Sequence, residues 1–422
     1  MNETPPGAEP LHHHIRPMRG RDPHEAHRTA TPLELLFDLT FVTAFGVAAS
    51  QFAHLLAEGH VGAALIGFAF ASFAICWAWI NFSWFASAYD TDDWVFRLAT
   101  MMQMIGVLVL AIGLPRMFAS LDHGGHVDNS IMVLGYVVMR VAMVFQWLRA
   151  ARQDKQRRRA CLTYAIAISI AQVGWIMQIL FDWPLGTTIV LVVVLGLIEL
   201  AGPVLAENKD GGTPWHAHHI VERNSLFAII ALGEGVVGTV ASLSAVVDEQ
   251  GWTVDAGLVG VAGMGLTFGI WWVYYMLPSA QVLHAHRERC FVWGYGQMVV
   301  VAAIVAIGAG LHVAAYFIEH KAHIGELAAV LAVAVPVGVF LLAIYALYAY
   351  LVRGFDPLHK WLLMGTLAVV LTAVAAAMAE VDMAICLVVL MLAPMVTVVG
   401  YEIWGHRHQA QALSSDQGPT LH

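Results

Sequence analysis

Long apolar runs alternate with short polar breaks along the whole chain, at residues 33–56, 61–86, 98–118, 130–148, 160–181 and 185–206 and again at 223–247, 256–280, 290–318, 327–352, 361–379 and 383–404. A run of about 20 apolar residues, wound as a helix rising roughly 1.5 Å per residue, is long enough to cross a hydrocarbon core about 30 Å thick. The pattern therefore predicts an all-α, polytopic transmembrane bundle of about twelve spans. Its expected organisation is a polar tail (1–32), a first six-helix half (33–206), a linker (207–222), a second six-helix half (223–404) and a polar C-terminal tail (405–422).

Lys and Arg in short loops resist translocation, so their distribution sets orientation. With the N-terminus inside, the cytoplasmic segments hold Arg16, Arg19, Arg21, Arg28, Arg97, Arg149, Arg152, Lys155, Arg157, Arg158, Arg159, Lys209, Arg223, Arg287, Arg289, Arg353, Lys360 and Arg407. The outer segments keep only Arg116 and Lys321, and Arg140 falls inside a span. Both termini and the linker are expected on the cytoplasmic side. A faint duplication runs through the chain: Glu34 and Glu222 open the first and seventh spans, Trp-rich stretches end in Ser87-Ala88 and Ser279-Ala280, and Gln103-Met104 matches Gln297-Met298. Halves with an even number of spans would be parallel repeats.

Composition agrees: 59% of residues are apolar and 12% charged, against roughly 45–50% and about 25% in soluble domains. The net charge of −9 comes from loops and termini and speaks against nucleic acid as a partner. The first 30 residues lack the apolar core of a cleaved signal peptide, so the first span is expected to stay in the membrane. Four separate cysteines are expected to behave as small hydrophobes. Histidines crowd His12-His13-His14, His216 to His219, His284 to His286 and His406 to His408, yet no H-E-x-x-H or Cys/His spacing fixes a metal site, and solvated histidines are expected. Neither a phosphate-binding G-x-x-x-x-G-K-[ST] loop nor a G-x-S-x-G elbow is present. The residues thus predict no catalytic group, no metal and no cofactor.

Charges within spans carry the chemistry, because an ionised side chain at mid-bilayer costs roughly 2.5–3.5 kcal/mol on insertion scales. Asp38 shares a helix face with Glu34; Arg140 lies mid-span; Glu199 precedes Gly202-Pro203 by one turn; Glu234 sits between Gly233 and Gly235. One arginine cannot neutralise three acids, which makes Asp38, Glu199 and Glu234 candidate proton- or cation-coupling groups, with Arg140 as counter-charge or anion contact. The alternative is that these charges pair to fix helix packing. The Gly202, Pro203, Gly233 and Gly235 positions are candidate helix breaks or points of close helix approach. Arg223 and Glu234, eleven residues apart, fall on one helical face and predict a file of polar groups leading inward. At the cytoplasmic turn, Asp90 and Asp93 with Arg97 read as a cap and an i, i+4 pair; Glu222 marks the interface. Trp77, Trp79, Trp84, Trp271 and Trp272 read as interfacial anchors.

The segments Thr31-Pro-Leu-Glu-Leu-Leu-Phe-Asp-Leu-Thr-Phe-Val42, Tyr89-Asp-Thr-Asp-Asp93 with Arg97, Glu199-Leu-Ala-Gly-Pro203, and His219-Ile-Val-Glu-Arg223 leading into Ala231-Leu-Gly-Glu-Gly235 together resemble the bacterial low-temperature-requirement A family. The likeness covers roughly residues 28–400 and implies a multi-pass bacterial inner-membrane protein of a family named for growth in the cold, with no biochemical activity assigned to it. Its motif acids coincide with those that charge reasoning selects. The chain departs from the expected pattern at Leu36, where the family would favour Phe, and at Gln297, where it would favour His, and the second departure puts a His-based relay through the ninth span in doubt.

The leading expectation is a secondary transporter or proton/cation-coupled permease, working in the lipid bilayer on protons or small ions. Two other classes compete: a non-transporting scaffold or sensor for low-temperature growth, and an intramembrane enzyme acting on lipid. Oligomeric state and substrate are not encoded in any motif.

Overall fold

A computed structural model describes residues 15–23, 25, 28–181, 183–353 and 357–405. Among them the secondary structure is helical throughout, and twelve helices are long and apolar enough to span a membrane. The first half comprises α1 (Pro32–Ala57), α2 (Val61–Tyr89), α3 (Trp94–His123), α4 (Ser130–Gln153), α5 (Arg158–Leu180) and α6 (Leu185–Glu207). The second comprises α7 (Ala217–Gln250), α8 (Val254–Tyr275), a short α9 (Ser279–Ala285), α10 (Cys290–Ile318), α11 (Glu326–Val352), α12 (Pro357–Met378) and α13 (Met383–Gly400). His12, His13, His14, His406, Arg407 and His408 lie outside the described residues.

Two boundaries differ from the pattern, each for a local reason, and two expected breaks are absent. The helix containing the eighth span stops at Tyr275, because Pro278 cannot continue the ladder, and the chain restarts as α9. α7 begins at Ala217, with the His216 side chain accepting from the His219 backbone N–H, six residues before the expected start. Arg223 is therefore inside a 34-residue helix about 51 Å long rather than at its mouth. Finally, neither expected break exists: α6 runs through Gly202-Pro203 and α7 through Gly233 and Gly235 without interruption.

Glycines instead bring helices together. A side chain at Gly308 of α10 would lie 2.5 Å from the Glu234 carbonyl carbon, and one at Gly238 would lie 2.5 Å from the Gly308 carbonyl oxygen. That crossing makes α7 and α10 the most tightly joined pair, in the manner of small-residue contacts between membrane helices. α1 packs on α2 and α3 within its half and on α7 and α10 across the molecule. The halves differ at one seam. In the second, α13 closes on α8 through Gly265 against Met391 and Gly269 against Pro394; in the first, α6 stands off from α2 and leaves an apolar cleft of about 380 Å³ between Phe70, Phe73, Val192 and Leu197.

One end of the bundle is covered by the segment preceding α1. Met18 is fully buried, its N–H donates to the Gln153 side chain (2.5 Å), the Arg21 N–H donates to the Ala88 carbonyl (3.0 Å), and the Arg28 guanidinium donates to the Ala86 carbonyl (2.7 Å).

Candidate functional site

The first turn of α1 is built by its sequence. Thr31 caps the helix, Pro32 supplies a pre-set φ at the first helical position, and Glu34 completes a capping box by accepting from the Thr31 N–H at 2.7 Å. The box holds Glu34 so that its other carboxylate oxygen faces α7. There Arg223 Nη1 lies 2.8 Å from Glu34 Oε1, and Arg223 Nη2 and Nε donate to Asp38 at 2.5 and 3.3 Å. The four-residue spacing of Glu34 and Asp38 stacks both acids on one face, so a single guanidinium reaches both. His219, one turn earlier on α7, approaches Glu34 at 3.2 Å, and Trp79 of α2 donates its indole N–H to Asp38 at 2.6 Å. Glu34, Asp38, His219 and Arg223 are all fully buried.

A second network lies entirely inside the first half. Arg140 of α4 meets Glu199 of α6 at 3.1 Å. The Glu199 carboxylate also accepts from Trp77 (2.7 Å), Tyr136 (2.9 Å), Gln172 (3.3 Å) and Trp175 (3.3 Å). Arg140 contacts the Tyr136 hydroxyl as well, while its Nε and Nη1 are buried without an acceptor. Pro203 withholds the N–H that the Glu199 carbonyl would accept, and the next carbonyl, Leu200, takes the Tyr295 hydroxyl of α10 at 2.8 Å.

Glu234 is different. Among the described residues it makes no ion pair and no hydrogen bond; it is half-buried, with its carboxyl set against Gly46 of α1, where an added Cβ would stand 3.1 Å away. Counting along α1, this carboxyl lies about 12 Å deeper than Asp38. The expected polar file from Arg223 to Glu234 is interrupted: Phe227 occupies the intervening turn, stacked on Trp79 (4.3 Å between ring centres) and beside Phe45 (6.1 Å).

Several expectations change with this geometry. The charges form two networks and one isolated carboxyl, not one convergent cluster. A second arginine, Arg223, serves Asp38, so the imbalance inferred from Arg140 alone falls on Glu234. Trp77, Trp79 and Trp84 are buried and bonded to acids rather than anchored at an interface; Trp271 remains exposed. His216 and His219 are buried instead of solvated. Asp93 does cap α3, accepting from the Phe96 N–H at 2.9 Å, but its ion-pair partner is Arg149 of α4; Arg97 pairs with Asp92 at 2.8 Å. Asp90 accepts from the Asp92 N–H, and Glu222 from the Ala30 N–H. No group of three or more His, Cys, Asp or Glu side chains among the described residues is arranged to hold a metal.

The residues missed by pattern alone are Trp77 and Trp79. Two positions apart on α2, they point to opposite sides, one indole to each acid network. Between them lies a small cavity bounded also by α6, α7 and α10.

The sequence model of the bacterial low temperature requirement A protein matches residues 29–394. The chain belongs to that family. The matched stretch spans the positions of both arginine networks, Glu234 and the cavity. An uncharacterized protein of Rhizobium meliloti (strain 1021) is 24% identical over 294 residues, covering 66% of this chain and 67% of that protein. No solved structure matches.

Proposed function

We propose that this low temperature requirement A protein is a secondary transporter of the bacterial inner membrane, coupled to protons or a small cation, with both termini in the cytoplasm. The observation carrying this reading is the Glu234 carboxyl, half-buried at the junction of α1, α7 and α10 and unpaired among the described residues, while Glu34, Asp38 and Glu199 are held by arginine. A group with no protein partner gains or releases a proton, or takes up a cation, without breaking an internal contact. Asp38 and Glu199 have arginine partners and serve instead as fixed charge. The orientation rests on the skewed Lys and Arg distribution.

The test is flux in proteoliposomes carrying an internal pH dye, with potassium or sodium salts opposite an imposed pH gradient. The full chain is expected to discharge the gradient faster than protein-free vesicles, and Glu234→Gln to lose that excess while remaining monodisperse in detergent. Equal discharge by the Glu234→Gln variant removes the coupling role; no excess discharge by the full chain removes the transport reading.

A further inference from the structure

The cavity between the two networks has a chemical signature of its own. Four tryptophans line it, and every indole N–H is engaged outside it: Trp77 with Glu199 (2.7 Å), Trp79 with Asp38 (2.6 Å), Trp84 with Glu207 (3.1 Å) and Trp293 with Ser279 (3.0 Å). What remains for the cavity is ring surface, whose quadrupole attracts cations. A donor N–H bonded to a carboxylate leaves that surface richer in electron density.

Glu207 strengthens the bias. It ends α6 and accepts from Trp84, from the Tyr164 hydroxyl (2.8 Å), and from the Thr213 hydroxyl (2.6 Å) and N–H (2.9 Å), all neutral donors. It has no ion-pair partner among the described residues. The Arg287 guanidinium lies over the Trp215 ring at 3.8 Å and donates to the Trp215 carbonyl. Around this space the carboxyl groups of Glu34, Asp38, Glu199 and Glu207 are accompanied by the guanidinium groups of Arg223, Arg28, Arg140 and Arg287, and the wall itself carries no basic side chain. Among its polar groups, the Ser83 hydroxyl lines the cavity, is buried, and has no hydrogen-bond partner.

We infer that this cavity is a binding site for one small monovalent cation, of the size of potassium or ammonium, held by the Trp and Tyr ring faces, the Ser83 hydroxyl and the field of Glu207. Its volume of about 30 Å³ admits a single ion or water and excludes quaternary ammonium groups. An anion would meet the π faces of the four tryptophans. The inference deepens the transport reading by naming the ion class, yet binding is measured without flux, so the two fail separately.

The experiment titrates the purified full-length protein in detergent with potassium chloride or ammonium chloride, at ionic strength held constant with choline chloride, following tryptophan fluorescence and heat of binding. A saturable response to at least one of the two ions is expected. Glu207→Gln should weaken it at least about tenfold, as loss of a charged partner does, and Ser83→Ala, which breaks no protein contact, by a smaller but measurable factor. Absence of a saturable response, or the same affinity in a monodisperse Glu207→Gln protein, overturns the site. Should Glu207→Gln lose monodispersity through its contacts with Thr213, Ser83→Ala decides by the same criterion. Binding without proton-coupled flux would keep the site and reject the coupling.

Discussion

The two arginine networks use the same chemistry for different mechanical purposes. Arg140 and Glu199 join α4 to α6 inside the first half, one cation to one anion, with Glu199 accepting from five donors. Arg223 joins α7 to α1 and so ties one half of the molecule to the other, one cation to two anions. Motion of the halves past each other leaves the first network intact and strains the second. The first is thus a brace within a unit, and the second a latch between units. Trp77 and Trp79 on α2 connect them, so a change at the latch reaches the wall of the central cavity through a single helix.

The comparison is broken most severely by removing one partner. A buried pair that loses its arginine leaves an uncompensated charge, at a cost of about 3–5 kcal/mol; Arg223→Gln and Arg140→Gln are both expected to lower the thermal midpoint in detergent sharply. Neutral doubles then separate brace from latch. Arg140→Gln with Glu199→Gln should regain most of the midpoint and, on the transport reading, leave flux unchanged. Arg223→Gln with Asp38→Asn should regain less, because Glu34 stays charged, and should alter flux through the freed interface. Equal flux from the two doubles would show that the halves do not move at α1 and α7.

Much of this was legible in the sequence and the remainder was not, for identifiable reasons. Helix number followed from apolar run length, and the acids from the cost of charge in lipid. The Thr31-to-Glu34 spacing announces a capping box, and Glu34 with Asp38 a common face. What the pattern hid is which residues count as inside. Arg223 follows a polar stretch and reads as interfacial, until His216 is seen to start α7 six residues earlier. The Trp-rich run of α2 reads as an anchor because Trp prefers interfaces; only its packing between the halves shows that the indoles serve Asp38 and Glu199. Partner choice is a three-dimensional quantity, as Asp93 shows: Arg97 lies four residues on, yet Arg149 from another helix takes it.

A milder perturbation acts through pH at the polar turn between α2 and α3, where two carboxyls three residues apart respond in opposite directions. Burial, with Glu34 nearby, pushes Asp90 up from 3.8 to about 6 against the pull of Arg28. Burial also acts on Asp93, but the Arg149 guanidinium and the Phe96 and Arg16 N–H groups outweigh it and hold that carboxyl below its ordinary value. With its folded pKa raised, Asp90 contributes stability that is complete below 3.8 and lost as pH rises through about 6. Asp93 contributes in the opposite sense, present above its ordinary value and lost as pH falls through the depressed one. Asp90→Asn, which keeps the acceptor for the Asp92 N–H, should therefore match the parent in acid and exceed it in thermal midpoint at pH 7 to 8. A midpoint difference that does not vary with pH would remove this assignment.

The smallest effect is expected where the same ion pair stands in water. Arg97 donates to both oxygens of Asp92 at 2.9 and 2.8 Å, a geometry as good as any in the buried networks, but its side chain is 47% exposed and that of Asp92 44%. Solvent already stabilises both charges, so an exposed pair is worth about 0–1 kcal/mol. Arg97→Gln should shift the thermal midpoint little, and less still at high salt, which screens exposed charges and leaves buried ones nearly untouched. A loss comparable to that of Arg140→Gln would mean that the turn is covered in the working protein, and that the division between buried and solvated arginines does not govern this bundle.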